Sequence, residues 1–221
     1  MKIIPVICLG VLCLLMAIVY TVFSQKSGWQ GLLVRGLAIL SCILFSQISA
    51  NLNAINNALP LFTILGLSLF ILSEALKVSG IASEKAQVVT FGALNSVAFA
   101  LISLSALSLG EFNIFALIGG VFFGVAGGLL VCAIKKYKKV YRVFAEIFTF
   151  MAIGFIIGFG LMAVLSTTHF LSAICMLAGG IFLLLARLIN GLSKGGKVSS
   201  YISNALFIIG LTVISLATFL Y

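Results

Sequence analysis

Eight stretches of apolar residues, each close to the length of a bilayer crossing, leave this chain one solvent in which it can fold. A hydrocarbon core needs about 20 consecutive apolar residues per helix. Such runs fall at 3–23, 30–49, 59–78, 87–108, 112–134, 143–165, 169–190 and 201–220. Polar or glycine-containing breaks separate them, among them "SQKSG", "ANLNAINN", "SGIASEK", "KKYKK" and "SKGGKVSS". Every break is short, so residues 1–221 are expected to form a single integral-membrane domain. Backbone polar groups inside lipid must be satisfied within their own segment, which selects helices. The predicted fold class is all-α, a polytopic bundle of eight transmembrane helices. Composition agrees: 8% of residues are charged, against about 25% in a soluble domain. The first run is followed by no small-x-small cleavage site, so it is read as a retained helix and not as a signal peptide.

The net charge of +9 would suggest nucleic acid in a soluble protein. The positions of the charges suggest otherwise. The first, third, fifth and seventh connections carry Lys26, then Lys77 with Lys85, then Lys135, Lys136, Lys138, Lys139 and Arg142, then Lys194 with Lys197. The second, fourth and sixth carry none. Positively charged loops stay on the cytoplasmic side, so the basic connections are expected to be cytoplasmic and both termini outside, with Lys2 the one dissenting charge. The expected location is a bacterial plasma membrane. The partners expected are membrane lipids, with headgroup contact at the basic loops, and not nucleic acid.

The five cysteines, Cys8, Cys13, Cys42, Cys132 and Cys175, lie inside apolar runs without metal-ligand or redox spacing and read as small buried hydrophobes. His169 is the only histidine and the chain has no Asp, so a protein-built metal site lacks its ligands and no cofactor is implied. "GGVFFGVAGG" sets Gly120, Gly124 and Gly128 on one stripe of the fifth run, and Gly154 and Gly158 repeat the spacing in the sixth. Small residues four apart let helix backbones approach closely, which predicts a packing seam.

Leaving aside Lys77 and His169 at the very ends of their runs, four charged residues lie inside the apolar runs: Arg35, Glu74, Glu146 and Arg187. Each, unpaired at mid-bilayer, would cost roughly 2.5–3.5 kcal/mol. The topology sets all four in the third of the bundle nearest the basic loops, and Asn95 enters from the same side, roughly 12 Å deep at 1.5 Å per residue. A polar pocket open toward that side is the expectation. Two alternatives stay open: helix-end ion pairs, Arg142 with Glu146 and Glu74 with Lys77, and snorkelling of Arg35 and Arg187 to headgroups. An internal echo favours the pocket. "GLSLFILSE" and "GGIFLLLAR" align without gaps and set Glu74 against Arg187, 113 positions apart; Arg35 and Glu146 stand 111 apart, and Asn95 and Asn204 stand 109 apart. Two four-helix repeats of parallel orientation would produce this register.

The residues around these positions resemble the YhhN-like lysoplasmalogenase family over nearly the whole chain. The stretches that carry the resemblance are "VRGLAIL" with Arg35, "LSEAL" with Glu74, "ALNSVAF" with Asn95 and "LLLARLINGL" with Arg187. Arg35 keeps the charge of a family lysine and Glu74 keeps a carboxyl group. Asn95 stands for a family histidine, Ala98 for a tyrosine, and Arg187 for a carboxylate. The resemblance implies an eight-helix fold and hydrolysis of the vinyl-ether bond of a lysoplasmalogen. That chemistry begins with protonation of the vinyl carbon and ends with water capturing an oxocarbenium ion. Glu74 is the candidate general acid and Glu146 the candidate second carboxylate; Arg35, Asn95 and Arg187 are the candidate substrate-binding residues, the arginines for phosphate. Arg187 beside the site would oppose an oxocarbenium ion. A non-catalytic lipid binder, a small-molecule transporter or substrate-capturing subunit, and a structural membrane protein are the competing readings.

Overall fold

A computed structural model describes residues 3–23, 28–53, 58–78, 84–137, 139–166, 169–193 and 196–221. Of the basic residues named above, Lys2, Lys26, Lys138 and Lys194 lie outside this set. The described residues form eight helices: α1 (Ile3–Phe23), α2 (Gly28–Leu52), α3 (Ala58–Val78), α4 (Glu84–Leu107), α5 (Ile114–Lys135), α6 (Val140–Ser166), α7 (Phe170–Leu192) and α8 (Lys197–Ala217). Seven of them, α2 to α8, are long and apolar enough to cross a membrane, and α1 contributes a shorter apolar stretch, Ile7–Phe23. The chain is therefore a helical, multi-pass integral membrane protein. Large apolar side chains cover its outside, Phe115, Phe122 and Phe123 on α5 being more than 60% exposed, as lipid-facing residues are.

The helix ends differ from the apolar runs for physical reasons. Helices continue past the apolar stretch wherever backbone hydrogen bonding can, so α2 and α6 extend beyond their runs at both ends, and α8 begins at Lys197. The start of α5 moves inward to Ile114 because the Asn113 side chain accepts from the Phe115 amide at 2.8 Å, an N-cap that leaves Phe112 outside. The end of α8 comes earlier, at Ala217, where the Thr218 hydroxyl donates to the Ser215 carbonyl at 2.7 Å.

Packing follows a ring. In order round the bundle, α2, α3, α4, α6, α7 and α8 each touch the next, and α8 returns to α2; α1 lies outside against α2 and α8, and α5 outside against α6 and α7. The glycine seam is where it was expected. Gly120, Gly124 and Gly128 face Phe155, Met151 and Ile147 of α6, and a Cβ on Gly154 would stand 2.7 Å from the Gly120 carbonyl oxygen. The same device joins α3 to α4, where a Cβ on Gly66 would meet the Ala98 carbonyl at 2.7 Å, and α7 to α8, where one on Gly179 would meet the Gly210 carbonyl at 2.9 Å. Hydroxyls add bonds across helices: Thr63 to Ser105 at 3.0 Å, Ser203 to the Ala186 carbonyl at 2.9 Å, and Ser172 to the Ala217 carbonyl at 2.9 Å.

Candidate functional site

The ring encloses a cavity of about 350 Å³. It sits among the beginnings of α2 and α8 and the ends of α1, α3 and α7, so it lies at the end of the bundle where the basic connections are. Its wall is divided. Arg35, Glu74, Asn95, Arg187 and Asn204 stand about one helical turn nearer the basic end than Ile39, Phe70, Phe99, Leu183 and Phe207 on the same five helices; Asn190 joins the polar set and Ile153 the apolar one. The rings form a connected floor: Phe70 meets Phe99 edge-on at 4.8 Å and Phe207 edge-on at 5.6 Å, and Tyr20 stacks on Phe207 at 6.3 Å.

Charge is arranged as two ion pairs, each between neighbouring helices. Between α2 and α3, Arg35 Nε stands 2.7 Å from Glu74 Oε2, an off-axis contact in which neither of these atoms makes an aligned hydrogen bond. The other carboxylate oxygen of Glu74 is in close contact with Lys77 Nζ. Between α6 and α7, Arg187 Nη2 stands 3.3 Å from Glu146 Oε2. Counting four helices on from the first pair reaches the second with the signs exchanged: the cation is on α2 in one and on α7 in the other.

Four of the five site residues expected from the sequence therefore line one cavity. Glu146 does not. Arg187 projects from α7 to the cavity while Glu146 meets it from α6, behind the lining. The Glu74–Lys77 helix-end pair is present as well as the pocket, so those two expectations were not alternatives. Arg35 and Arg187 do not point separately into lipid; their side chains are 17% and 30% exposed.

Three cations and one carboxylate, Arg35, Lys77, Arg187 and Glu74, face the cavity. Glu74 is flanked by two of the cations. Arg187 has its carboxylate partner outside the lining, and its buried Nε makes no hydrogen bond among the described residues. Such a site suits an anion held by a guanidinium fork, next to an apolar surface. Sequence reasoning missed Tyr20, Lys77, Asn190, Ser200 and Ser203 as lining residues. Tyr20 stands in a run whose apolar character hides it, whereas the distance of Asn204 from Asn95 was a usable signal.

Just outside the bundle, Arg142 lies over the Tyr137 ring at 5.6 Å. Burial, and then the nearby Glu146 carboxylate, push the Tyr137 phenol above its ordinary value.

Comparison with protein-family models, curated proteins and solved structures finds no match for this chain.

Proposed function

We propose that the protein binds a single-chain amphiphile with an anionic head, a lysophospholipid or a molecule of that kind, in the cavity of the ring. The observation that carries this reading is the division of the cavity wall: Arg187, Asn190 and Asn204 nearer the basic end, the connected aromatic floor beyond them. Phosphate would seat against Arg187, and the first carbons of the chain against Phe70, Phe99 and Phe207. In this proposal the basic connections face the cytoplasm of a bacterial cell, α1 crosses the membrane with the other seven helices, and both termini are outside. The two halves, α1–α4 and α5–α8, are parallel repeats, a reading supported by the ring order and by the sign-exchanged ion pairs.

The resemblance to the lysoplasmalogenase family belongs to the same proposal, as a second reading. Its candidate acid, Glu74, shares the cavity with the proposed phosphate site. Against proton donation, both Glu74 oxygens are engaged by cations, and three cations near the reacting carbon would raise the energy of an oxocarbenium ion. Binding without hydrolysis is the simpler account of this geometry.

The test uses purified protein in lipid nanodiscs with a lysophosphatidylethanolamine and a lysoplasmalogen. Saturable binding of both, lost in Arg187→Gln, with no aldehyde released, is the expected result. Aldehyde release that disappears in Glu74→Gln would replace the binder by the hydrolase. Absence of saturable binding to either lipid would end the amphiphile reading.

A further inference from the structure

The size of the cavity raises a question about where the chain of such a ligand goes. The cavity's apolar lining, Ile39, Phe70, Phe99, Leu183 and Phe207, extends about one helical turn beyond the polar residues, roughly 5 Å at 1.5 Å per residue. That accommodates the first carbons of a chain and not its whole length. The remainder must leave the ring between two helices, and the seams are not alike.

Four of the six seams are closed by near contact of backbones or by small residues. Gly66 meets Ala98 between α3 and α4, Gly92 meets Ala145 between α4 and α6, Gly160 meets Leu177 between α6 and α7, and Gly179 meets Gly210 between α7 and α8. A fifth, between α2 and α3, is crossed by the Arg35–Glu74 pair. The sixth lies between α2 and α8. Away from the cavity those two helices are tied by the Asn53 side chain donating to the Phe219 carbonyl at 2.9 Å, by the Phe45 and Phe219 rings at 6.3 Å, and by Cys42 with Thr212 at 3.7 Å. At the level of the cavity both helices contribute to its wall, and so does Tyr20 of α1. Since α1 lies outside the ring against α2 and α8, the Tyr20 side chain reaches the cavity by passing between them. The seam is thus closed by a side chain of an outer helix. Farther along α1, away from the cavity, the same seam is covered by packed side chains: Cys13 Sγ donates to the Ser41 carbonyl at 3.2 Å, and Cys13 and Phe45 share an apolar cluster with Leu9, Leu216 and Phe219.

We infer that the α2–α8 seam is the lateral portal through which the amphiphile passes between bilayer and cavity, and that Tyr20 is the residue that gates it and sets how thick a chain can pass. This rests on the amphiphile reading above. A tyrosine suits the position: its ring continues the aromatic floor through Phe207, and two rotatable side-chain torsions let it swing aside at low cost. The bound chain then has its head on Arg187 and leaves the ring past Tyr20 at the level of the cavity, where α2 and α8 both contribute to the wall.

The experiment is photocrosslinking of the full-length protein in nanodiscs with a lysophosphatidylethanolamine that carries a diazirine at mid-chain. Labelled residues are expected on α1, α2 and α8, and labelling should vanish in Arg187→Gln. Labelling that still requires Arg187 but falls on α4, α6 or α5 would overturn the portal and leave the pocket standing. Labelling indifferent to Arg187 would overturn the pocket reading itself. A second measurement addresses the gate. Tyr20→Ala should take up and exchange the lipid about tenfold faster, because a gate limits passage whatever the affinity of the bound state. Tyr20→Phe, which keeps the ring and removes only the hydroxyl, should exchange at the wild-type rate. Equal exchange rates for wild type and a folded Tyr20→Ala would remove the gating role; should Tyr20→Ala not fold, Tyr20→Leu provides the same comparison.

Discussion

Arg187 Nη2 stands 3.3 Å from Glu146 Oε2, yet the guanidinium lines the central cavity and the carboxylate does not. The pair thus delivers a positive charge to the cavity with its countercharge held behind. Removing the charge should be felt in binding. Arg187→Gln is expected to weaken a lysophospholipid by about 10–100-fold, the worth of one charge-assisted contact of 1.5–3 kcal/mol. Glu146→Gln, which releases the guanidinium, should bind at least as tightly as wild type. Equilibrium titration in nanodiscs compares the two.

Exchanging the two charges separates pairing from ligand binding. The double variant Glu146→Arg with Arg187→Glu keeps an ion pair across α6 and α7 but turns a carboxylate toward the cavity. Its thermal unfolding temperature should stay close to wild type, and the anionic amphiphile should no longer bind. An unfolding temperature as low as that of Arg187→Glu alone would show that the pair cannot be inverted.

Glu74 holds two cations, so its loss should cost stability as well as any activity. Glu74→Gln leaves Arg35 and Lys77 without their carboxylate, for which about 3 kcal/mol is the scale in a buried pair; part-exposure at 15% brings the expected cost to the lower side of that. Adding Arg35→Gln should recover part of the loss. A double-mutant cycle read by thermal unfolding measures the coupling.

At the α5–α6 seam, a Cβ on Gly124 would collide with the Met151 backbone, whereas one on Gly119 meets nothing within 4 Å. Gly124→Ala is expected to destabilise by roughly 1–3 kcal/mol through overpacking. Gly119→Ala should be neutral or slightly stabilising, by up to about 1 kcal/mol through its helix propensity. Unfolding temperatures of the two single variants decide it.

The Tyr137 phenol, raised first by burial and then by Glu146, should ionise above the ordinary tyrosine range in a difference titration against Tyr137→Phe. Below the value of an unfolded tyrosine, both states keep the proton and stability is indifferent to this group. As pH rises past that value toward the folded one, only the unfolded state ionises, so stability falls. Glu146→Gln should lower the folded midpoint and reduce the fall.

Most of the architecture was legible in the chain because lipid imposes a rule that hydropathy can express: one apolar run of the right length per crossing. The glycine seam was legible because close approach demands small residues at helical spacing, and Gly120, Gly124 and Gly128 have it. Arg35, Glu74, Asn95 and Arg187 were legible because a charge or amide inside an apolar run has few tolerable places to go. Two things were not. That Glu146 would pair behind Arg187, outside the cavity, depends on how α6 and α7 are turned about their axes, which depth alone does not specify. Tyr20 looked like one more apolar residue, since its role comes from α1 lying over the α2–α8 seam, a relationship between helices with no trace in local sequence. Ser200, the last residue of "SKGGKVSS" and part of the cavity lining, was passed over because the boundary of α8 was set by the apolar stretch from 201 and not by the helix, which begins at Lys197.

The glycine contact between α5 and α6 has a mechanical corollary. Two helices whose backbones touch cannot be squeezed closer, and they slide only against many side chains at once. On the opposite flank α1 buries, among its described side chains, Cys13, Ala17 and Tyr20. By comparison α5 buries Ala116, Gly120, Gly124, Gly128, Val131 and Cys132, so the seam with backbone contact fixes both the spacing and the register of two crossings, and α5 and α6 move as one body.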